Sequence, residues 1–153
     1  MNKNNFNYNN EAIATMALGY FLHLKQEIEL SKILFVLPFI LHEPCLKKLK
    51  GTSIIRSLEE FIIKSPETLM GFNSRYFNYL PLAINGITIL KEAEIIYAIE
   101  DVLYFNNNTE FDPINSFTIG SRAKQLFRGI EQLIPIINSD SSASFYLKLK
   151  ITL

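Results

Sequence analysis

The sequence of 153 residues contains no tryptophan, a single cysteine and no excess of charge of either sign. Because Cys45 is the only cysteine, an intrachain disulfide is excluded, and a reducing cytoplasmic location is expected. Lys and Arg together number 15, and so do Asp and Glu. This balance argues against a protein whose whole surface is built to hold nucleic acid, although it permits a local basic patch.

Long apolar segments are also lacking. The longest, residues 33–41, is interrupted by Pro38, whereas a membrane-spanning helix needs about 20 residues. Residues 1–10 are rich in asparagine and lack the apolar centre of a signal peptide. We therefore expect a soluble cytoplasmic protein with no membrane partner, which forms one domain over residues 1–153 with a flexible segment at 1–10.

The sequence also lacks residue patterns that support catalysis or bind a cofactor. The only histidines, His23 and His42, do not have metal-ligand spacing with each other. A zinc site needs about four ligands, and the chain has one cysteine and no paired motif. A lone cysteine in an apolar context is more often a small buried hydrophobe than a nucleophile. The glycines form neither a dinucleotide-binding motif nor a P-loop. We expect no enzyme: no catalytic residues, no metal and no cofactor.

Aromatic residues, by contrast, are abundant. Apolar residues make up 48% of the chain and charged residues 20%, with 12 Phe and 7 Tyr. This is more apolar surface than one small domain readily hides, which suggests a partner-binding face. Aromatic residues and Arg are enriched at interface centres, so the densest aromatic segment predicts a partner contact at Phe72, Arg75, Tyr76 and Tyr79. Core packing is the alternative, because Phe72 and Tyr76 are one helical turn apart.

Basic residues form two clusters in the sequence. Such clusters can hold nucleic acid through its phosphates, without reading the bases. The alternative is that they are solvated helix faces with no specific role. The first cluster carries a DNA-contact hypothesis for Lys47, Lys48 and Lys50, with Arg56 nearby, and the second consists of Arg122, Lys124 and Arg128.

Apolar spacing predicts helices over most of the chain. The first is predicted from a cap at Asn10 to about Lys25. Residues 33–41 are apolar on all sides and predict the most buried helix, which Pro38 kinks or shortens. The other predicted boundaries are starts at residues 29–32, at Thr52 or Ser53, at Pro66 and at Ser121, stops near Gly86 and Pro135, and a join at residues 79–81.

The composition changes after Gly86 and predicts β-structure. Residues 87–90 and 94–99 are β-branched and flank a polar turn, which predicts a short hairpin, and residues 101–105 could continue a strand. Near the chain end, residues 145–153 alternate between apolar and polar side chains and locally predict a strand. The predicted fold class is α+β and helix-dominated, with several packed helices followed by a short β-hairpin and a further helix.

A set of packing motifs carries a family resemblance. The motifs are the apolar run with its embedded proline, the element Leu41-His42-Glu43-Pro44, a short basic segment, a Thr/Ser-capped helix, the element Phe72-Asn73-Ser74-Arg75, Leu80-Pro81 and the opening helix at residues 11–22. With these motifs, the chain resembles the middle component of bacterial three-component ABC-ATPase (ABC-3C) anti-phage defence systems, which include the Lamassu systems. The resemblance covers residues 10–95, and residues 117–153 more loosely.

The resemblance implies a function. In such systems the middle component is a small non-catalytic subunit, encoded beside an SMC-like ABC ATPase and a variable effector that is often a nuclease. It implies an adaptor that binds the ATPase or the effector, meets DNA through the complex, and helps couple foreign-DNA sensing to effector release. It also implies a winged-helix-like arrangement and a short helix at residues 141–148. Against the local alternation there, we favour a helix over residues 142–147 and a strand only for the final residues.

A stand-alone winged-helix transcriptional regulator is the alternative function. A regulator would carry basic residues along its recognition helix and wing. The predicted wing instead sets one cation against four acids, namely Lys91 against Glu92, Glu94, Glu100 and Asp101. Because this acidity would repel phosphate, the adaptor is favoured.

Overall fold

The computed structural model of the protein describes residues 3–113 and 120–153. The helices of this part are α1 (Lys3–Lys25), α2 (Leu30–Ile33), α3 (Val36–Ile40), α4 (Glu43–Leu49), α5 (Leu58–Lys64), a 3₁₀ helix (Pro66–Leu69), α6 (Phe72–Glu92), α7 (Ser121–Asn138) and α8 (Ser142–Lys148). The strands are β1 (Glu27–Glu29), β2 (Ile96–Ile99) and β3 (Val102–Phe105), which form one antiparallel sheet in the order β1-β3-β2. The predicted helix-dominated α+β class is confirmed.

The apolar run at residues 33–41 lies in the core, as predicted. Phe35 and Leu37 are fully buried, and so are most of their neighbours in the run. The run is not one kinked helix, however, because α2 ends before Phe35 and α3 begins after it. Proline at position 38 has no N–H to donate to the carbonyl four residues earlier, so a continuous helix would lose a hydrogen bond there.

Helix α6 is longer than predicted. The predicted join at residues 79–81 and the stop near Gly86 are both wrong, since one helix runs from Phe72 to Glu92 with Pro81 inside it. Pro81 is exposed, so water can replace the hydrogen bond that its missing N–H removes. Gly86 lies against α1, where a Cβ atom would be 3.0 Å from the Leu18 side chain. This glycine therefore allows α1 and α6 to approach closely.

The hairpin occurs one segment later than predicted. Residues 87–90 belong to α6, and the hairpin joins β2 to β3 through a turn at Glu100 and Asp101. Ile87 and Leu90 are buried while the positions between them are exposed, which is helical spacing against α1. Tertiary packing has overridden the β-propensity of this β-branched segment.

Strand β1 was not predicted, because residues 29–32 were assigned to a helix start. Its pattern is a buried Ile28 between exposed Glu27 and Glu29, which is too short to be recognised by alternation. Ile28 pairs with Leu103 of the central strand β3. The sheet therefore joins a segment that follows α1 to the hairpin that follows α6.

Several helix boundaries also differ from the predictions. Helix α5 is capped by Ser57, whose side chain accepts a hydrogen bond from the Glu60 N–H, and not by Thr52 or Ser53. Helix α1 begins before the predicted cap at Asn10, and α7 continues past Pro135. The predicted helical turn at Pro66 is present as the 3₁₀ helix. The single domain and the flexibility of residues 1–10 stay predictions.

The helix favoured near the chain end is present as α8, with Ser141 as its cap. The final residues, predicted as a strand, are irregular. Helix α8 brings the chain end back onto the apolar run. The Phe145 ring lies 5.3 Å from the Phe35 ring, and the Tyr146 hydroxyl donates to the Ser31 carbonyl, 115 positions earlier in the chain.

Candidate partner-binding surfaces

Phe72 and Tyr76, two residues of the predicted partner contact, lie on the inner face of α6. Each is only 2% exposed. The Phe72 ring lies 4.9 Å from that of Phe39, and the hydroxyls of Tyr76 and Tyr146 are 2.9 Å apart. Burial, followed by this hydrogen bond, raises the pKa of Tyr76. The geometry favours the core-packing alternative for these two side chains.

Arg75 of the same predicted contact is half-buried and binds three parts of the fold. Its Nε donates to the Pro38 carbonyl at 3.1 Å, and its Nη2 donates to the Thr68 carbonyl at 3.0 Å. The guanidinium also lies 4.9 Å from the centre of the Phe72 ring. Because burial disfavours the charged form, the pKa of Arg75 is lowered. The arginine thus connects α3 and the 3₁₀ helix to α6.

Tyr79 is half-buried, and its hydroxyl lies 3.5 Å from the Leu41 carbonyl. All four predicted contact residues are therefore on the side of α6 that faces the protein, although two of them keep an accessible edge. A direct contact between Arg75 or Tyr79 and a partner stays a prediction.

His42 and Cys45 form a second polar cluster beside Arg75. The Nδ1 atom of His42 lies 3.2 Å from Sγ of Cys45, whose thiol donates to the Thr68 carbonyl at 3.4 Å. Cys45 is fully buried, and burial raises the pKa of its thiol. A reactive cysteine needs the opposite, a lowered pKa and access, so this pair has the properties of a structural contact.

The His42 cluster predicts a pH dependence of stability. The pKa of His42 is lowered from its usual 6.5, first by burial and second by the positive charge of Arg75. The unfolded chain therefore binds a proton that the folded chain does not, and the free energy of unfolding should decline as the pH falls through about 6.5. Urea unfolding at pH 7.5, 6 and 5 should show this decline, and His42→Gln should reduce its slope. Equal slopes in both proteins would contradict the assignment.

The outer face of α6 carries an apolar stripe and no charge between Phe72 and Leu90. Phe77, Pro81, Ile84 and Thr88 follow one another at steps of four, three and four residues, so they form one stripe along the helix. Phe77 is 38% exposed and Ile84 is 52% exposed. Between Phe72 and Leu90 the only charged residue is Arg75, which points inward. An exposed helix face without charge is typical of a protein contact.

A groove of about 450 Å³ provides a second apolar surface, between the 3₁₀ helix, the start of α6 and the end of α8. Phe72 forms part of its wall, and the exposed side chains of Ile63, Met70 and Leu147 lie in the elements around it. Lys148 and Lys150 also line it. The groove therefore combines apolar side chains with positive charge, whereas the outer face of α6 has no charge between Phe72 and Leu90.

The two basic clusters of the sequence lie on neighbouring helices. Lys47 and Lys48 are exposed on α4, and Lys50 follows directly after it. Arg122, Lys124 and Arg128 are exposed on α7, which packs against α4. Arg56 lies apart from both helices, and its backbone N–H donates to the Glu60 carboxylate.

Metal clusters and membrane spans were sought in the described ranges, 3–113 and 120–153. No group of three or more His, Cys, Asp or Glu side chains there could hold a metal ion. Within the same ranges, every helix is too short or too polar to cross a membrane.

A comparison with models of protein families shows to which family the chain belongs. The family model for the ABC-three component (ABC-3C) system Middle Component 3 matches residues 2–153. The chain belongs to this middle component 3 family. No curated protein and no solved structure shows a significant match to it.

Membership in the middle component 3 family confirms the resemblance on which the sequence analysis relied. It makes the chain one component of a multi-component ABC system. The match extends over the C-terminal third, where the sequence motifs resembled the family only loosely.

The exposed residues Phe77 and Ile84 of this middle component are not among the contact residues that the sequence predicted. The signal was present, since the two lie at helical spacing through Pro81. The stripe was not recognised because a helix break was predicted at residues 79–81, which separated its members. The structure restores the stripe by continuing the helix through the proline.

Proposed function

We propose that this middle component is a non-catalytic adaptor of a bacterial anti-phage or anti-plasmid defence complex. It binds an SMC-like ABC ATPase, with the effector as a further partner, and contributes to coupling foreign-DNA sensing to effector release. Family membership supports a role in a multi-component ABC system. A Lamassu-type system and a winged-helix-like arrangement of the sheet and helices are parts of the same proposal.

The observation that carries the proposal is the uncharged outer face of α6. Interface centres are depleted of charged residues and enriched in apolar and aromatic ones. Between Phe72 and Leu90 this face has no charge and exposes Phe77, Pro81 and Ile84, with Ser, Asn and Thr side chains beside them. The predicted contact residues lie on the opposite side of the same helix, so the proposal moves the contact from the inner face to the outer face. The occupant is the ATPase subunit of the same system.

Truncation of the outer face should weaken the complex and leave the fold unchanged. For Phe77→Ala together with Ile84→Ala, we expect a loss of about 2 kcal/mol or more in binding, roughly thirtyfold in affinity. The measurement is co-purification with the co-expressed ATPase subunit, followed by titration of the separate proteins. Thermal melting by circular dichroism checks that this double variant folds.

Matched controls come from Met70, which lines the groove, and from Ile63, which follows the lining residue Ile62 in α5. Ile63→Ala and Met70→Ala truncate side chains that are 78% and 77% exposed, and they should assemble normally. Normal assembly of the outer-face variant would reject the proposed contact. So would loss of the complex in the groove variants alone, which would place the ATPase at the groove.

The stand-alone regulator remains the second candidate, and α6 argues against it. A winged-helix regulator reads DNA with the helix before the hairpin, which is α6 in this protein. The one exposed cation of α6 is Lys91, in its last turn, beyond the uncharged stretch. The hairpin turn itself consists of Glu100 and Asp101. Sequence-specific DNA binding by the free protein at physiological salt would favour the regulator.

A further inference from the structure

The α4–α7 surface, defined by Lys47 and Lys50 at one side and Arg122, Gln125 and Arg128 at the other, combines two clusters that are far apart in the sequence. The Nζ atom of Lys50 donates to Oε1 of Gln125 at 3.0 Å, which joins the helices at their exposed edge. Arg122 and Arg128 are three residues before and after Gln125, so all three side chains project on one side of α7.

Close backbone packing holds the two helices together beneath this surface. At Gly129 of α7, a Cβ atom would lie 2.5 Å from the end of the Leu46 side chain of α4. Such a distance is far below an ordinary carbon–carbon contact, so glycine is what permits this approach. The cations are therefore carried by two helices in a fixed relation.

The positive charge of this surface is mostly uncompensated. Among the residues that the structure describes, no ion pair includes Lys47, Arg122 or Arg128. Lys48 pairs with Glu67 at 3.5 Å. Two exposed acids lie on the same helices, Glu43 on α4 and Glu131 on α7, and the neutral Tyr20 hydroxyl that donates to Glu131 leaves its charge in place. These two acids offset at most two of the six cations that α4, Lys50 and α7 carry. An excess of positive charge thus remains although the chain as a whole is neutral.

The surface also lacks apolar anchors. None of the large exposed hydrophobic residues in the described part of the chain belongs to α4 or α7. Protein interfaces have apolar and aromatic centres and few lysines, whereas nucleic-acid interfaces are polar and strongly positive. The composition therefore favours a phosphate backbone over an acidic protein.

We propose that the α4–α7 surface binds the phosphate backbone of duplex DNA without reading its sequence. The contact uses the charges of Lys47, Lys50, Arg122 and Arg128, which neutralise phosphates and release counterions. It extends the sequence hypothesis for the lysines of α4 by adding the arginines of α7, and it is independent of the ATPase contact on α6. Because few cations take part, binding by the free protein is weak and strongly dependent on salt.

The test is fluorescence anisotropy of a labelled duplex of arbitrary sequence with the full chain, over roughly 50 to 200 mM salt. The variant is Lys47→Gln with Arg128→Gln, which takes one charge from each helix. A plot of log K against log salt has a negative slope. Each lost phosphate contact should reduce the magnitude of this slope by about 0.9, so the double variant should reduce it by about 2. The affinity at the lowest salt should fall about tenfold or more.

The control is Lys91→Gln with Lys150→Gln, which removes the same net charge from exposed positions elsewhere. It should keep the slope of the unaltered protein. Equal losses in both double variants would overturn the proposal, because they would show a response to net charge alone. Absence of binding at the lowest salt would overturn it as well, and so would tighter binding of a labelled polyglutamate peptide than of the duplex.

Discussion

Replacing Phe35 by alanine is expected to unfold the protein or to drive it into aggregates. The Phe35 ring contacts four other rings, those of Phe72, Tyr76, Phe145 and Tyr146, with centroids 4.8 to 6.5 Å away. Replacing a fully buried phenylalanine by alanine lowers the free energy of unfolding by about 3–5 kcal/mol. The total free energy of unfolding of a domain is only about 5–15 kcal/mol. Urea unfolding followed by circular dichroism measures the loss.

Leu37→Ala should also be strongly destabilising, because Leu37 is fully buried in the same run. The expected cost is about 2–5 kcal/mol. Ile84→Ala is the matched control for an aliphatic truncation, since Ile84 is exposed, and it should change the free energy of unfolding by at most about 0.5 kcal/mol. Unchanged melting temperatures for both Phe35→Ala and Leu37→Ala would show that the run is not the core.

Truncation of Arg75 is the second large effect. Arg75→Ala removes two charged hydrogen bonds to the Pro38 and Thr68 carbonyls, together with the contact over the Phe72 ring. Hydrogen bonds to charged groups contribute about 1.5–3 kcal/mol each. Because Arg75 is only half-buried and water can replace part of these bonds, we expect a smaller loss than their sum, about 2–4 kcal/mol in stability. Thermal and urea unfolding of the isolated protein measure it directly.

A conservative variant distinguishes the arginine's geometry from its charge. Arg75→Lys keeps the positive charge but lacks the planar fork that reaches two carbonyls, so its stability should fall between those of the other two proteins. If Arg75→Ala melts normally and instead fails to bind the ATPase, Arg75 is a contact residue as the sequence predicted. The same unfolding measurement thus separates the core-packing and interface interpretations.

The sequence predicted those features of the fold that depend on apolar residues and local caps. The burial of residues 33–41 and the turn at Pro66 follow from composition and local signals alone. The helix after Ser141 was favoured through the family resemblance, against a local alternation that predicts a strand. The position of the hairpin in the chain was predicted wrongly. Residues 87–90 have a β-branched composition, and they are helical only through their packing on α1. That packing depends on a close approach at Gly86, which local sequence patterns do not reveal.

The candidate surfaces were predictable in part. Aromatic density in the sequence indicated α6, the helix on which we propose the partner contact. The proposed face of that helix depends on whether α6 continues through Pro81, which a local rule decides wrongly. Two basic clusters were visible in the sequence. Their juxtaposition was not, because it results from the packing of α4 on α7 at Gly129. Sequence reasoning thus identified the side chains, and tertiary packing determined which of them share a surface.

The contact of α8 with the apolar run has a consequence for synthesis on the ribosome. Phe35 emerges early, yet the rings of Phe145 and Tyr146 that cover it are made more than a hundred residues later, as the 115-position span of the Tyr146–Ser31 hydrogen bond shows. A nascent chain therefore exposes its most apolar segment until residues 145 and 146 have been translated, a state in which chains aggregate readily. The demand for chaperones, or for early association with a partner subunit, should be set by this interval.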